Sequence, residues 1–201
     1  MKKLTIYEIC LCALLTAILC ILSPIAIPVG PVPVTLGLFV IYLSVFILGC
    51  RGTVISTLLY LLLGLVGLPV FSGFSGGFAK LAGPTGGYLI GYVFVALIGG
   101  MVADKSGFKL AISEAGLLVG TIVAYAFGTA WYMFITGNSL MASIMVCVLP
   151  FIPFDAAKIA VAAVLGRAVH VALAKANLLA AMQTDVLKGV SKDMKNMMKQ
   201  S

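Results

Sequence analysis

Six long apolar runs, at about residues 6–27, 34–50, 53–67, 86–103, 111–135 and 149–174, leave this chain very few folds. Each approaches the roughly 17–25 residues a helix needs to cross the hydrocarbon of a bilayer, the third being short. A globule in water needs far more charge than is available. Only 9% of the residues are Asp, Glu, Lys or Arg, against roughly 25% in a typical soluble domain, while 62% are hydrophobic. Lipid removes the difficulty, because surface facing it should be apolar and helices satisfy their own backbone. The expectation is an all-α membrane protein, a bundle of six transmembrane helices.

The net charge of +7 raises nucleic acid as a partner, but its distribution argues against one. Most basic residues lie in short segments between apolar runs and in the tail, as in cytoplasmic loops beside anionic lipid. Six spans with the amino terminus inside put Lys2, Lys3, Arg51, Lys105, Lys109, Arg167, Lys175, Lys188, Lys192, Lys195 and Lys199 on the cytoplasmic side. That leaves only Lys80 and Lys158 of the 13 basic residues elsewhere. Both termini are therefore expected in the cytoplasm. Lys2 and Lys3 before an apolar run could open a signal peptide, but Glu8 interrupts the run and a retained first helix fits better. The five cysteines (Cys10, Cys12, Cys20, Cys50 and Cys147) fall in or beside apolar runs, without acidic or histidine partners at ligand spacing. They read as small packing residues, and no metal site is expected.

Two features carry chemistry. The first is Asp155 with Lys158, in the run Pro-Phe-Ile-Pro-Phe-Asp-Ala-Ala-Lys. A helical spacing of three puts both on one face, and an unpaired charge inside a span costs about 2.5–3.5 kcal/mol, so both should point into the bundle. Two readings fit: a structural ion pair that neutralises itself, or an acceptor and a donor offered to one polar ligand such as a cyclic urea.

The second feature is the external segment 68–85, rich in glycine and bounded by Pro69 and Pro84. Gly76 and Gly77 permit close backbone approach, while Phe71, Phe74, Phe78 and Tyr88 supply flat apolar area. So apolar a loop is expected to fold down as a lid over a pocket. The following helix starts near Pro84, so N–H groups around Thr85, Gly86 and Gly87 are available to a carboxylate. Close helix packing through Gly83, Gly87 and Gly91 is the alternative. Lys80 either steers an anion or is simply solvated. Trp131 and Tyr132 read equally as interfacial anchors or pocket lining. Ala13 and Ala17 form a small-residue step on the first span that admits another helix closely, in the bundle or from a partner.

The run Gly-Phe-Ser-Gly-Gly, the stretch Leu-Ala-Gly-Pro-Thr-Gly-Gly-Tyr-Leu-Ile-Gly-Tyr and the later Pro-Phe-Asp-Ala-Ala-Lys closely resemble the BioY family, the biotin-specific substrate-binding (S) subunits of energy-coupling-factor (ECF) transporters. The resemblance covers about residues 5–175, including the number and order of spans; Tyr92 stands where phenylalanine is more usual. It implies a non-enzymatic protein of the bacterial cell membrane that captures biotin with high affinity from outside, under the loop between the third and fourth helices. It also implies delivery to a transmembrane coupling subunit and two ABC-type ATPases, which use the ATP; no cofactor belongs to this chain. Residues 1–175 become the six-helix substrate-binding domain and 176–201 a polar cytoplasmic tail. Asp155 and Lys158 match the pair beside the biotin head group. Tyr88 and the glycines before it match the loop side, and Ala13 and Ala17 match the docking face of the first helix.

Three rival readings stay open: an S subunit for another vitamin, a stand-alone carrier driven by an ion gradient through Asp155, and an intramembrane enzyme. The enzyme ranks last, since no nucleophile–base pair is evident and there are no catalytic candidates. No nucleotide-hydrolysing motif is present, so ATP coupling would need partners.

Overall fold

A computed structural model of the chain describes residues 5–27 and 32–175; the expected polar tail at 176–201 lies outside the described residues, as do Lys2 and Lys3. Helix α1 (Ile6–Leu22) opens with a capping box. Thr5 Oγ1 accepts from the Glu8 N–H at 3.2 Å, and Glu8 Oε2 accepts from the Thr5 N–H at 2.8 Å. Glu8 is thus a helix cap rather than a charge stranded in an apolar run. The helix stops before Pro24, which has no N–H to continue it. A two-residue strand β1 (Ala26–Ile27) then pairs antiparallel with β2 (Val34–Thr35), Ala26 opposite Thr35 and Ile27 opposite Val34.

Helix α2 (Gly37–Leu65) contains both the second and third apolar runs. Gly49 breaks it, with φ 67° and ψ −166°, a conformation favouring glycine, and a Cβ there would stand 2.3 Å from Asp104 Oδ1. Past the break the chain turns back. A Cβ on Gly37 would stand 2.7 Å from Ser23 Oγ, and the same oxygen is 2.6 Å from Tyr60 Oη. A straight helix would hold positions 37 and 60 about 35 Å apart. The second and third expected spans are therefore the antiparallel arms of one bent element. Asp104 Oδ2 accepts from the Cys50 N–H at 3.2 Å and steadies the turn.

The remaining helices are α3 (Phe78–Ala82), α4 (Gly86–Ser106), α5 (Leu110–Thr136), α6 (Leu140–Cys147) and α7 (Phe151–Lys175). Helices α2, α4 and α5 are each long and apolar enough to cross a membrane; α6 and α7, bent by 43° at their junction, reach that length and apolarity only when taken together, and α1 is a shorter apolar helix. With α2 counted as two arms, each of the six expected apolar runs is helical. The short α3 and α6 are additions to the six-run reading. Ser139 caps α6 by accepting from the Ala142 N–H at 3.4 Å, and the bend falls at residues 148–150, ahead of Pro150.

Small residues set the packing. Along the antiparallel pair α4–α5, Gly87 faces Trp131, Gly91 faces Ala124, Gly99 faces Leu117, and Gly128 faces Tyr88, all so close that an added Cβ would stand 2.4–3.1 Å from its neighbour. This is the small-residue contact that lets helices approach where lipid supplies no hydrophobic driving force. Between α1 and α2 the contact is polar: Ser56 Oγ donates to the Cys12 carbonyl at 3.1 Å and Thr16 Oγ1 to the Ser56 carbonyl at 3.4 Å. Tyr42, Tyr60, Phe71, Val95 and Leu117 fill the core where these helices meet.

Candidate functional site

Asp155 and Lys158 stand on the first turns of α7, on the side turned to α5 and the β2 strand. Asp155 is only 3% exposed. Its Oδ1 accepts from Lys158 Nζ at 2.9 Å, and its Oδ2 accepts from the Tyr125 hydroxyl of α5. Lys158 Nζ also donates to the Thr35 carbonyl at 2.9 Å, and the Thr35 hydroxyl lies 2.9 Å from Tyr92 Oη on α4. One hydrogen-bonded chain, Tyr125–Asp155–Lys158–Thr35–Tyr92, thus ties α5, α7, the strand pair and α4 together. Burying an ion pair is costly unless such partners accompany it.

The network is not saturated. An ammonium has three donors and a carboxylate about four lone-pair sites; two are used on each. A group carrying N–H donors beside a carbonyl acceptor can engage both residues without breaking the pair.

The space beside them is a cleft of about 50 Å³, lined by Val32, Pro33, Leu38, Tyr88, Phe151 and the network residues. A second lobe of about 30 Å³ adjoins it, sharing Val32, Pro33, Thr35, Tyr88 and Tyr92 and adding Ser23, Ser72, Thr85 and Leu89. Gly128, which leaves room for the Tyr88 ring, and the Thr129 hydroxyl, 2.9 Å from Tyr88 Oη, fix the tyrosine between the lobes. Larger spaces lie outside the bundle: a groove of about 640 Å³ along α5, α6 and α7, and another of about 440 Å³ beside Phe39 and Phe154. Both are almost wholly apolar and open past exposed side chains such as Ile122, Leu140 and Ile144 in the first and Ile25, Ile27 and Phe154 in the second, although buried residues, among them Asp155 and Thr121 in the first and Val34 in the second, form part of their floors.

Of the residues singled out in the sequence, Asp155, Lys158, Tyr88 and Thr85 line this cleft. Gly86 and Gly87 do not; Gly86 receives the end of α3, its would-be Cβ 1.7 Å from the Leu81 carbonyl oxygen, and Gly87 packs on Trp131. Gly76 lies against the Leu68 carbonyl, and Gly77, at φ 87°, precedes α3. The two loop phenylalanines part company. Phe71 is fully buried, edge-on to Tyr60 at 5.4 Å and seated over Gly64, whereas Phe74 is 70% exposed. Within the loop expected to fold down as a lid, Phe71 is thus the anchor from beneath. Trp131 also pins the loop, through Nε1 to the Gly83 carbonyl at 3.0 Å. Lys80, on α3, has its pKa lowered by desolvation. Ala13 and Ala17 are exposed on α1, opposite the face of Cys12, Leu15, Thr16 and Leu19 that meets α2.

Tyr125, Thr35, Val32 and Pro33 were not anticipated. Tyr125 carried one faint signal, a hydroxyl in the middle of an otherwise apolar run.

A multi-pass bundle with a small polar cleft inside its apolar mass is the architecture of a membrane protein that holds a small solute. The BioY family model matches residues 1–175, and the chain belongs to the BioY family. A biotin transporter BioY from Thermotoga maritima is 39% identical over 150 residues, covering 75% of this chain and 88% of that one. Biotin transporter BioY2 from Lactococcus lactis subsp. cremoris is 34% identical over 177 residues, 88% of this chain and 97% of its own. Among solved structures, the crystal structure of the S-component for biotin from an ECF-type ABC transporter superposes with a TM-score of 0.76 at 31% identity, over 81% of this chain and 89% of that one.

Proposed function

We propose that this chain is the biotin-binding S subunit of an ECF-type transporter, capturing biotin from the external side and handing it on for ATP-driven import. The observation that carries this, within the family, is the buried Asp155–Lys158 pair with unused hydrogen-bonding capacity on both partners. The cyclic urea of biotin presents N–H donors to Asp155 and a carbonyl to Lys158. Tyr88 and Tyr92 flank the apolar bicycle and Thr85 lies further along the cleft. Gly76, Gly77, Gly86, Gly87, Phe71 and Phe74 shape the loop above. Spaces of about 50 and 30 Å³ are far below the roughly 300–1,000 Å³ of ligand pockets, so entry of biotin must part the cleft walls.

The chain sits in the cell membrane with the cleft toward the outside and its termini in the cytoplasm. Support comes from charge: Arg51, Lys105, Lys109 and Arg167 all belong to the end of the bundle away from the cleft, near the Gly49 turn, as the positive-inside tendency favours. Its partners are a membrane coupling subunit and two ABC-type ATPases, with α1 docking through Ala13 and Ala17. Residues 1–175 are the binding domain. An Ala17→Leu variant should bind biotin within about twofold of the parent, as for other surface substitutions, yet import poorly with its partners. Normal import would remove α1 from the docking face.

Calorimetric titration of the detergent-purified protein with biotin, with riboflavin and thiamine as controls, tests the reading. One-to-one binding of biotin alone supports it. Binding of another vitamin, or uptake by the isolated chain that collapses with an ion gradient, overturns it. Native mass spectrometry beforehand detects biotin carried through purification.

A further inference from the structure

We propose that the end of the bundle away from the cleft carries a seat for an anionic phospholipid, its phosphate held by Arg51, Lys105 and Lys109 with Arg167 alongside. This seat is independent of what the cleft binds. Two turns bring the cations to one end. Arg51 follows the break at Gly49, and Lys105 follows Asp104, whose Oδ2 accepts from the Cys50 N–H at 3.2 Å across that break. Lys109 closes the turn between α4 and α5. Arg167 follows Gly166, where a Cβ would stand 2.5 Å from the Cβ of Phe46, just before the break. The α4–α5 turn is held in shape. Gly107 and Phe108 are both left-handed, at φ 62° and 57°, the Phe108 N–H donates to the Ala103 carbonyl at 2.9 Å, and Phe108 packs on the core. A phenylalanine keeps that conformation only where its surroundings enforce it.

The four cations stand without counter-charges. All are exposed, and none of their side chains has a hydrogen-bond or ion-pair partner among the described residues, where Asp155–Lys158 is the one ion pair. Two carboxylates, Asp104 and Glu114, lie at this end, but neither pairs with a cation and Asp104 is turned onto the Cys50 N–H. What borders the cations decides which anion fits. One helical turn nearer the middle of the bundle, Met101 precedes Lys105, Ile112 follows Lys109 and Val164 precedes Arg167, with exposures of 45%, 48% and 67%. The cations therefore rim a band of exposed apolar side chains on α4, α5 and α7. A soluble anion would leave that band uncovered. A phosphate joined to acyl chains matches both layers, the headgroup on the cations and the chains against the apolar residues.

Native mass spectrometry of the detergent-purified full chain, titrated with phosphatidylglycerol or with phosphatidylcholine of the same acyl chains, tests this. The parent should hold phosphatidylglycerol at least about twentyfold more tightly, each phosphate-facing cation being worth about fivefold. Arg51→Gln and Lys105→Gln should each cut that preference about fivefold and together nearly abolish it. Lys80→Gln, at the opposite end, should leave it within about twofold. Unchanged elution volume and helical circular dichroism identify variants whose bundle is intact. An excess of glycerol phosphate should not displace the lipid. Equal retention of the two lipids by the parent overturns the proposal without any variant. A preference that survives in the double variant also overturns it; where that variant does not fold, an unchanged preference in both single variants does the same. Displacement by glycerol phosphate would make the seat one for a free anion and overturn the lipid as its occupant.

Discussion

The groove along the outside of α5, α6 and α7 and the cleft within the bundle share two walls, Tyr125 and Asp155, but differ in every property that recognition uses. The groove is some 640 Å³ in volume, and Ile122, Leu140 and Ile144 line it with exposed apolar side chains. The cleft is about 50 Å³ and brings a carboxylate, an ammonium and tyrosine hydroxyls to one surface. The groove follows from the 43° bend between α6 and α7, which splays them from α5 where lipid can fill the gap. The cleft follows from charges that tolerate burial only with partners from other elements. Volume therefore marks where helices part, and hydrogen-bonding capacity marks where a solute is chosen.

Variants at the shared wall and on either side can break this contrast. The largest effect belongs to Asp155→Asn. It removes the charge facing Lys158 and an acceptor for the ligand, and truncating a buried charge pair typically costs about 2–5 kcal/mol, so biotin affinity should fall by about a hundredfold. Isothermal titration of a variant that still elutes as a folded species measures this; unchanged affinity would take the pair out of the site. Next is Tyr125→Phe, which keeps the ring between groove and cleft but deletes the hydroxyl that orients Asp155. About tenfold weaker binding is expected, in line with the roughly 1.5–3 kcal/mol of a hydrogen bond to a charged group less some compensation by water. Loss of more than Asp155→Asn would show that the tyrosine acts through something other than the carboxylate. Smallest is Ile144→Ser in the groove, where affinity should stay within about twofold. A drop as large as that of Tyr125→Phe would make the groove part of the site.

What could be read from the sequence was what apolar surroundings make conspicuous. Asp155 and Lys158 stood out because charge inside a span demands an explanation. The spans were legible from length, and the turn at Gly49 fell close to the expected break at Arg51–Gly52. Other parts were not, for identifiable reasons. Tyr125 and Thr35 reach the charged pair across 30 and 123 positions of sequence, and a lone hydroxyl in an apolar run does not name its partner. Phe71 and Phe74 looked alike as apolar loop residues. Their opposite fates depend on a tight turn, in which the Phe71 N–H donates to the Ser75 carbonyl at 2.9 Å and Gly73 takes φ 71°. Helix α6 was hidden because eight residues are too few to signal a span, and its role emerges only with the bend before α7.

The most direct test of the account is where bound biotin touches the protein. Photolysis of a biotin analogue carrying a small diazirine on its tail, bound to the purified chain and followed by peptide mapping, reads this out. Labelling of Pro33, Tyr88 or Tyr92, suppressed by excess biotin, is the result the account predicts. Biotin-suppressed labelling of Ile122, Leu140 or Ile144 instead would put the ligand in the outer groove and contradict it.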